Sequence, residues 1–209
     1  MKISYAITVC NESQEIQRLI PFLINNKREE DEIVVLYDSE NGTKSVEDYL
    51  RAKSVNTYSN FSWYPYKFNG HFADMKNYLT SLCKGDYIYQ IDADELPTLF
   101  TLKTLPSVLE MNQNVDVFLV PRINTVKGIT SDHIQKWRWN VNPKGWVNFP
   151  DYQWRIYKNH ENIKWKNKVH EVLEGYEVMT QLPSEEEWCL IHDKTIEKQE
   201  KQNKYYDTL

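Results

Sequence analysis

The chain has 209 residues, of which 41% are hydrophobic and 26% charged, and its formal net charge is -5 at pH 7. This length favours one domain, residues 1–209, with a sizeable core, and the negative charge argues against a general polyanion binder, which is usually basic. No stretch approaches the roughly 18 apolar residues of a membrane-spanning helix, so no membrane span is predicted.

The cysteines favour a reducing environment. Cys10, Cys83 and Cys189 cannot all pair, and they lack the spacing of a zinc ribbon. We expect them to be buried thiols. The segment before Cys10 is too short and too polar for the apolar region of a signal peptide. Together these observations predict a cytoplasmic protein.

The first half of the chain alternates apolar runs with segments of helical periodicity. Asn11 followed by Gln14 resembles a capping box, which predicts a helix from there to about residue 26. The continuous apolar run 33–37 is typical of a strand that is buried on both faces. The predicted strands are 3–9, 33–37, 55–58, 87–91 and 115–120; the later predicted helices are 45–52, 71–83 and a region from Pro97 that Pro106 interrupts; and an aromatic loop is predicted around 63–68.

The second half has a different character. Residues 121–175 are aromatic and basic and have little helical periodicity, which predicts antiparallel strands and loops, including strands at 153–158 and 169–173. A short strand at 188–192 and a polar helix at 195–206 follow. The fold class predicted from the whole pattern is α/β, with a doubly wound, mostly parallel sheet and an antiparallel extension.

Polar side chains follow three predicted strands at the points where the strands end. Asn11 and Glu12 follow the first strand, Asp38 the second, and Asp92 and Asp94 the fourth. The carboxyl ends of parallel strands meet at one edge of a sheet, which is where open α/β folds bind ligands. In an extended backbone, carboxylates two residues apart share a face, about 6.5–7 Å apart at their Cα atoms. The pair predicts a site for Mg²⁺ or Mn²⁺ that holds a phosphate-bearing ligand.

Other sites that use such a pair fit less well. A calcium loop of the EF-hand type requires polar residues and glycine where this chain has Leu96 and Pro97. The glycine-rich motifs of dinucleotide-binding and P-loop proteins are absent. A phosphatase of the haloacid dehalogenase type, with Asp92 as the nucleophile and Asp94 beside it, stays as an alternative.

Several motifs in order resemble those of a known family. They are residues 7–12 (ITVCNE), 33–43 (IVVLYDSENGT), 72–77 (FADMKN) leading to 85–88 (GDYI), 92–95 (DADE), and 154–159 (WRIYKN) leading to 169–171 (VHE). Together they resemble the inverting glycosyltransferases of family 2, and the small bacterial and phage members in particular. The resemblance implies the GT-A fold, with a nucleotide-sugar-binding half at about 1–120 and an acceptor-binding half with a C-terminal helix at about 121–209.

The resemblance also implies roles for the residues at the sheet edge. A nucleoside-diphosphate sugar, with a UDP-sugar favoured, would be bound by Asn11, Glu12, Asp38, Asn77, Asp92 and Ala93. A divalent metal, Mn²⁺ or Mg²⁺, would be held by Asp92, Asp94 and His192. The expected activity is the inverting transfer of a hexose or pentose to an acceptor hydroxyl.

Inverting transfer needs a base that accepts the proton of the attacking hydroxyl. Glu171 is the candidate, and the neighbouring His170 could orient it. Many family members have a Glu-Asp pair instead, which this chain lacks in the expected region, so Asp151 and Asp132 stay open as alternatives.

Five of the seven tryptophans fall within residues 136–170, together with eight basic residues and two acidic ones. Tryptophan faces stack on sugar rings, and aromatic residues between basic ones also suit unpaired nucleic acid. The predicted acceptor-binding residues are Trp137, Trp139, Trp154 and Arg155. The acceptor would be a glycan or a modified DNA base of the phage type. Tryptophans that only fill a core, or a non-enzymatic module that binds carbohydrate or nucleic acid, are the alternatives.

Overall fold

The structure is a computed structural model, and it describes residues 1–55 and 60–206. Its centre is a nine-stranded sheet in which four parallel strands come first, in the spatial order β3-β2-β1-β4. These strands are β1 (Ile3–Val9), β2 (Glu32–Asp38), β3 (Phe61–Tyr66) and β4 (Tyr87–Asp92). The carboxyl ends of β1, β2 and β4 therefore meet at one edge, as the sequence predicts.

The sheet continues with strands from the second half of the chain. Next to β4 lie first β7 and then β6, joined by antiparallel pairing, and β11 pairs in parallel with β6. Strand β5 pairs with β11, and β10 pairs with β6. The bounds are β5 (Glu95–Pro97), β6 (Val117–Lys127), β7 (Val147–Lys158), β10 (Met179–Gln181) and β11 (Leu190–Thr195). Strands from both predicted halves thus share one sheet, and the single-domain organisation stays a prediction.

Helices cover both faces of the sheet. One core cluster joins β1 and β4 to the apolar faces of three helices, and the other joins Ala6, Ile88 and Tyr157 to one helix and a small hairpin. The first face carries α1 (Ser13–Asn26), α2 (Lys44–Val55) and α4 (Leu99–Met111); the second carries α3 (Phe72–Leu82) with the hairpin of β8 (Lys164–Lys166) and β9 (Val172–Glu174). Two more helices are α5 (Ser131–Trp137) and α6 (Ile196–Tyr206).

Three details differ from the predicted elements. The third strand is Phe61–Tyr66, which overlaps the predicted aromatic loop, and Pro65 is tolerated because β3 lies at the edge of the sheet. Val55 ends α2, and residues 56–59 of the predicted strand lie outside the described residues. Helix α4 continues through Pro106, since buried leucines on both sides of the proline anchor it.

Local capping also differs from prediction. Glu12, not Asn11, occupies the N-cap of α1, and no side chain caps this helix. Helix α5 was not predicted, although Thr130 and His133 form a capping box at its start.

The three cysteines are free thiols, and Cys10 is only half-buried. Within residues 1–55 and 60–206, no helix has both the length and the apolar character to cross a membrane.

The glycine after β9 allows a close approach of two backbone segments. Gly175 has a φ of +82°, and a Cβ added there would lie 1.9 Å from the carbonyl oxygen of Asn162. Gly145 has a similar φ of +79°, but an added Cβ would meet nothing within 4 Å. We expect Gly145→Ala to cost about 1–2 kcal/mol of unfolding free energy through backbone strain, and Gly175→Ala to cost more because the backbone at Asn162 must also move. Urea denaturation measures both, and equal losses would contradict the expectation.

Candidate functional site at the carboxyl edge of the sheet

The loops that follow β1 and β2 are each held by a carboxylate. Oε2 of Glu12 accepts hydrogen bonds from the backbone N–H groups of Cys10 at 2.8 Å and Asn11 at 3.0 Å. Oδ1 of Asp38 accepts from the backbone N–H groups of Glu40 at 2.9 Å and Asn41 at 3.1 Å. Both acids therefore shape the edge of the sheet as well as contributing charge to it.

Electrostatics connects the loop after β1 with the end of β4. Burial raises the pKa of Glu12, the backbone hydrogen bonds lower it, and the negative charge of Asp94 raises it again. The net pKa of Glu12 lies above its ordinary value. Burial likewise raises the pKa of the Cys10 thiol to about 12, with Asp38 and Glu12 adding to the rise. Glu12 thus lies within electrostatic reach of Asp94, and Glu12 and Asp38 both lie within reach of Cys10.

Asp92 is bound by basic and polar groups of the protein. Nη2 of Arg155 donates to its Oδ2 at 2.6 Å, and the hydroxyl of Thr8 donates to its Oδ1 at 3.2 Å. Burial alone would raise the pKa of Asp92, but the positive charges of Arg155 and Lys76 outweigh burial and hold it well below its ordinary value. Asp92 is therefore an ionised partner of Arg155.

Glu95 is a member of the site that was not among the predicted site residues. Its Oε1 accepts from Nη2 of Arg155 at 2.7 Å and from Nη1 of Arg122 at 2.8 Å, and its Oε2 accepts from the backbone N–H of Asp92 at 3.1 Å. Its side chain is fully buried. The only signal in the sequence was its place in the run Asp92–Glu95, because Arg122 and Arg155 come from distant strands.

The backbone turns after Asp92, so Asp94 does not continue the extended geometry that the sequence suggested. Oδ2 of Asp94 lies 3.3 Å from Nε2 of His192 and 3.8 Å from Nζ of Lys194. Burial raises the pKa of Asp94, but the hydrogen bond and charge of His192, with the charge of Lys194, bring it down to about 2. The two aspartates therefore have separate partners.

Asp94 and His192 fit one edge of a metal site. Adjacent ligands of an octahedral cation with bonds of about 2.1 Å lie about 3.0 Å apart, close to the observed 3.3 Å. Within residues 1–55 and 60–206, no group of three or more His, Cys, Asp or Glu side chains could hold a metal ion. A site with few protein ligands suits Mg²⁺ or Mn²⁺, since such ions keep water and take substrate phosphates as further ligands.

The candidate base, Glu171, lies next to Lys76 and within electrostatic reach of Arg155. Glu171 is mostly buried, its Oε2 is 3.5 Å from Nζ of Lys76, and its charge contributes to raising the pKa of Arg155. The ammonium of Lys76 also lies 4.7 Å from the ring centroid of Trp165. His170, next in the chain to Glu171, has a positive φ of 55°. The side chain of Asn77 is paired at both ends with the backbone of Trp165, at 2.9 Å each, so it joins α3 to β8.

The predicted acceptor residues lie in two different clusters. Trp137 and Trp139 contact each other at 4.7 Å between centroids, against the cluster of Val126, Val147 and Ile196. Trp154 packs against the core beside α3. Arg155 is buried beneath Asp92 and Glu95, not on an exposed surface.

Comparison with known families identifies the chain. The sequence profile of glycosyl transferase family 2 matches residues 4–181. This span contains the acids that follow the three predicted strands: Glu12, Asp38, Asp92 and Asp94. The chain belongs to glycosyl transferase family 2. The phosphatase alternative for Asp92 finds no support in this match.

Solved structures confirm the predicted α/β fold class of this family 2 chain. S. aureus TarS 1-349 has a TM-score of 0.64 at 16% identity, covering 92% of this chain, and its complex with UDP has a TM-score of 0.65 at 15% identity, also covering 92%. The complex of TarS 1-349 with UDP-GlcNAc matches at 0.64 and 16%, covering 93%. The chain spans about 60% of the length of TarS 1-349. No curated protein matches the sequence.

Removing the buried guanidinium should destabilise the family 2 fold strongly. We expect Arg155→Met to cost about 3–5 kcal/mol of unfolding free energy, because it leaves Asp92 and Glu95 without their shared cation. Lys144→Met is the control, since it removes an exposed ion pair with Glu186 and should cost under about 1 kcal/mol. Urea denaturation compares the two variants, and similar losses would show that the buried ion pairs contribute little.

Proposed function

We propose that this chain transfers a sugar, with inversion, from a nucleoside-diphosphate sugar to an acceptor hydroxyl, and that it uses a divalent cation. One observation carries the proposal: in a family 2 chain, Asp94 and His192 lie 3.3 Å apart at the sheet edge where Glu12 and Asp38 shape the loops. A cation between such ligands supplies Lewis-acid stabilisation of the diphosphate leaving group.

The donor is proposed to occupy the edge between the β1 and β2 loops and the end of β4. Glu12 and Asp38 are proposed to contact the base or ribose, with Asn11 and Ala93 lining the same side. The amide of Asn77 is paired with the backbone of Trp165, so Asn77 is proposed to support this side through α3 without contacting the donor. A UDP-sugar is the donor class to test first, because UDP and UDP-GlcNAc are the ligands of the similar TarS structures.

Asp92 is proposed to act through Arg155, which fixes the backbone before the turn that presents Asp94.

Glu171 is proposed as the base that accepts the proton of the acceptor hydroxyl, with His170 beside it. Nζ of Lys76 lies 3.5 Å from one oxygen of its carboxylate. Asp151 is a poorer base because Arg122, Asn124 and Gln153 donate to it. These donors and the charge of Arg122 outweigh burial, which acts in the opposite direction, and lower the pKa of Asp151.

The acceptor is proposed to be a saccharide that stacks on the half-buried faces of Trp137 and Trp139. A modified DNA base is the second acceptor class that the basic character of this half suggests. Transfer assays that offer both classes to the same preparation separate them.

Replacing the proposed metal-binding carboxylate tests the function. We expect Asp94→Asn to reduce transfer about 100-fold or more, because Lewis-acid stabilisation is worth several kcal/mol and each tenfold change in rate is about 1.4 kcal/mol. The variant should also lose the Mn²⁺-dependent rise in melting temperature with UDP. Asp48→Asn, at an exposed acid of α2, is the control. Full activity of Asp94→Asn would refute the proposal.

Replacing the proposed base should separate chemistry from binding. We expect Glu171→Gln to lower kcat by about 10²–10⁴-fold while the donor Kd stays unchanged, since a general base acts only on the transferred proton. Glu161→Gln, at an exposed position, is the matched control. Single-turnover kinetics and calorimetry with UDP measure the two quantities, and a normal kcat in Glu171→Gln would move the base elsewhere.

A further inference from the structure

A series of hydrogen-bonded, mostly half-buried side chains behind His192 determines which of its ring nitrogens faces Asp94. The ring is 5% exposed, and Nδ1 lies 2.6 Å from Oδ1 of Asn124, its partner in register on the neighbouring strand β6. Nε2 lies on the opposite side of the ring, 3.3 Å from Oδ2 of Asp94. Each ring nitrogen of His192 therefore faces the oxygen atom of one polar side chain.

The orientation of the Asn124 amide follows from its other neighbour. Nδ2 of Asn124 donates to Oδ2 of Asp151 at 2.7 Å, and an ionised carboxylate can only accept. The oxygen of the amide must then face His192, so Nδ1 of the ring carries the hydrogen. Asn124 thereby selects one of the two neutral tautomers, the one whose Nε2 has a free lone pair.

Asp151 is itself held as an acceptor. Arg122 donates to its Oδ2 from Nε at 3.0 Å and from Nη2 at 2.7 Å, and Gln153 donates to its Oδ1 at 2.7 Å. Arg122 is fixed in turn by Glu95, which accepts from its Nη1 at 2.8 Å. These hydrogen-bonded side chains, which we call the relay, all lie on β5, β6, β7 or β11, so the pairing of these strands holds them in place. They are Glu95, Arg122, Asn124, Asp151, Gln153 and His192.

With the Nδ1 hydrogen donated to Asn124, the other ring nitrogen, Nε2, is the one that faces Asp94, at 3.3 Å from its Oδ2. A proton on Nε2 makes this contact a hydrogen bond to Asp94, and a divalent cation that replaces the proton would take Nε2 and the carboxylate oxygen as two ligands. We propose that Asn124 and Asp151 are positioning residues, which hold His192 as the Nδ1–H tautomer and so prepare the Asp94–His192 pair for a cation. This rests on the divalent cation of the proposed function.

The tautomer can be measured without activity or metal. In ¹H–¹⁵N spectra of histidine-labelled, metal-free protein, His192 should show a hydrogen on Nδ1. A His192→Gln variant assigns its signals among the five histidines. Asn124→Leu should move the hydrogen to Nε2, because the carboxylate of Asp94 is then the acceptor that remains. A His192 ring with a hydrogen on Nε2 and none on Nδ1 in the unaltered protein would overturn the proposal, even if Asn124→Leu did not fold.

Metal affinity supplies a second readout. We expect Asn124→Leu to weaken Mn²⁺ binding about 10–100-fold, measured from the free-Mn²⁺ electron paramagnetic resonance signal with UDP present and absent. Asp151→Asn keeps an acceptor oxygen toward Asn124 and should retain both the tautomer and the affinity. Thr125→Val is the control, since Thr125 bonds Asp193 across the same two strands.

Two further outcomes separate this inference from the proposed function. Unchanged Mn²⁺ affinity in Asn124→Leu, or no Mn²⁺ binding by the unaltered protein, would overturn the positioning role. If the unaltered protein binds Mn²⁺ and shows the Nδ1–H tautomer but transfers no sugar, the proposed function fails and the relay stands.

Discussion

The site depends on the buried guanidinium of Arg155. It contacts Asp92 and Glu95 through a single nitrogen, at 2.6 Å and 2.7 Å, and so ties the end of β4 and the start of β5 to β7. Without a cation at this point, the buried carboxylate of Glu95 and the partly exposed carboxylate of Asp92 would repel each other. An ion that is buried without a partner costs several kcal/mol. The contacts with Arg155 therefore hold the backbone between Asp92 and Glu95 in one conformation. That conformation includes the turn which presents Asp94.

The two aspartates of the motif therefore have different tasks. Asp92 is neutralised by the protein, whereas Asp94 is left opposite a histidine at the distance that one cation could span. Asn124 and Asp151 contribute to this difference, since they hold a hydrogen on Nδ1, the ring nitrogen of His192 that faces away from Asp94. Side chains on β6, β7 and β11 thus determine what faces Asp94, which follows the parallel strand β4.

The candidate base, Glu171, is held by contacts between α3 and the hairpin of β8 and β9. Strands β8 and β9 form their own two-stranded hairpin, which is joined to α3 by the paired amide of Asn77. Lys76, on the same helix, reaches Glu171 just before β9 and lies over the ring of Trp165. Glu171 is therefore positioned from the opposite face of the sheet from α1 and α4.

The sequence by itself determined the order of the elements in the first half and the acids that end β1, β2 and β4, because strand periodicity and turn residues are local signals. It also indicated the family through motifs in the right order. Only the tertiary structure decided the partner of each acid, and it placed Arg155 under Asp92 instead of on an acceptor surface. Asp92 and Arg155 are 63 residues apart and Asp94 and His192 are 98 apart, so their pairing follows from strand order and register, which no local pattern specifies.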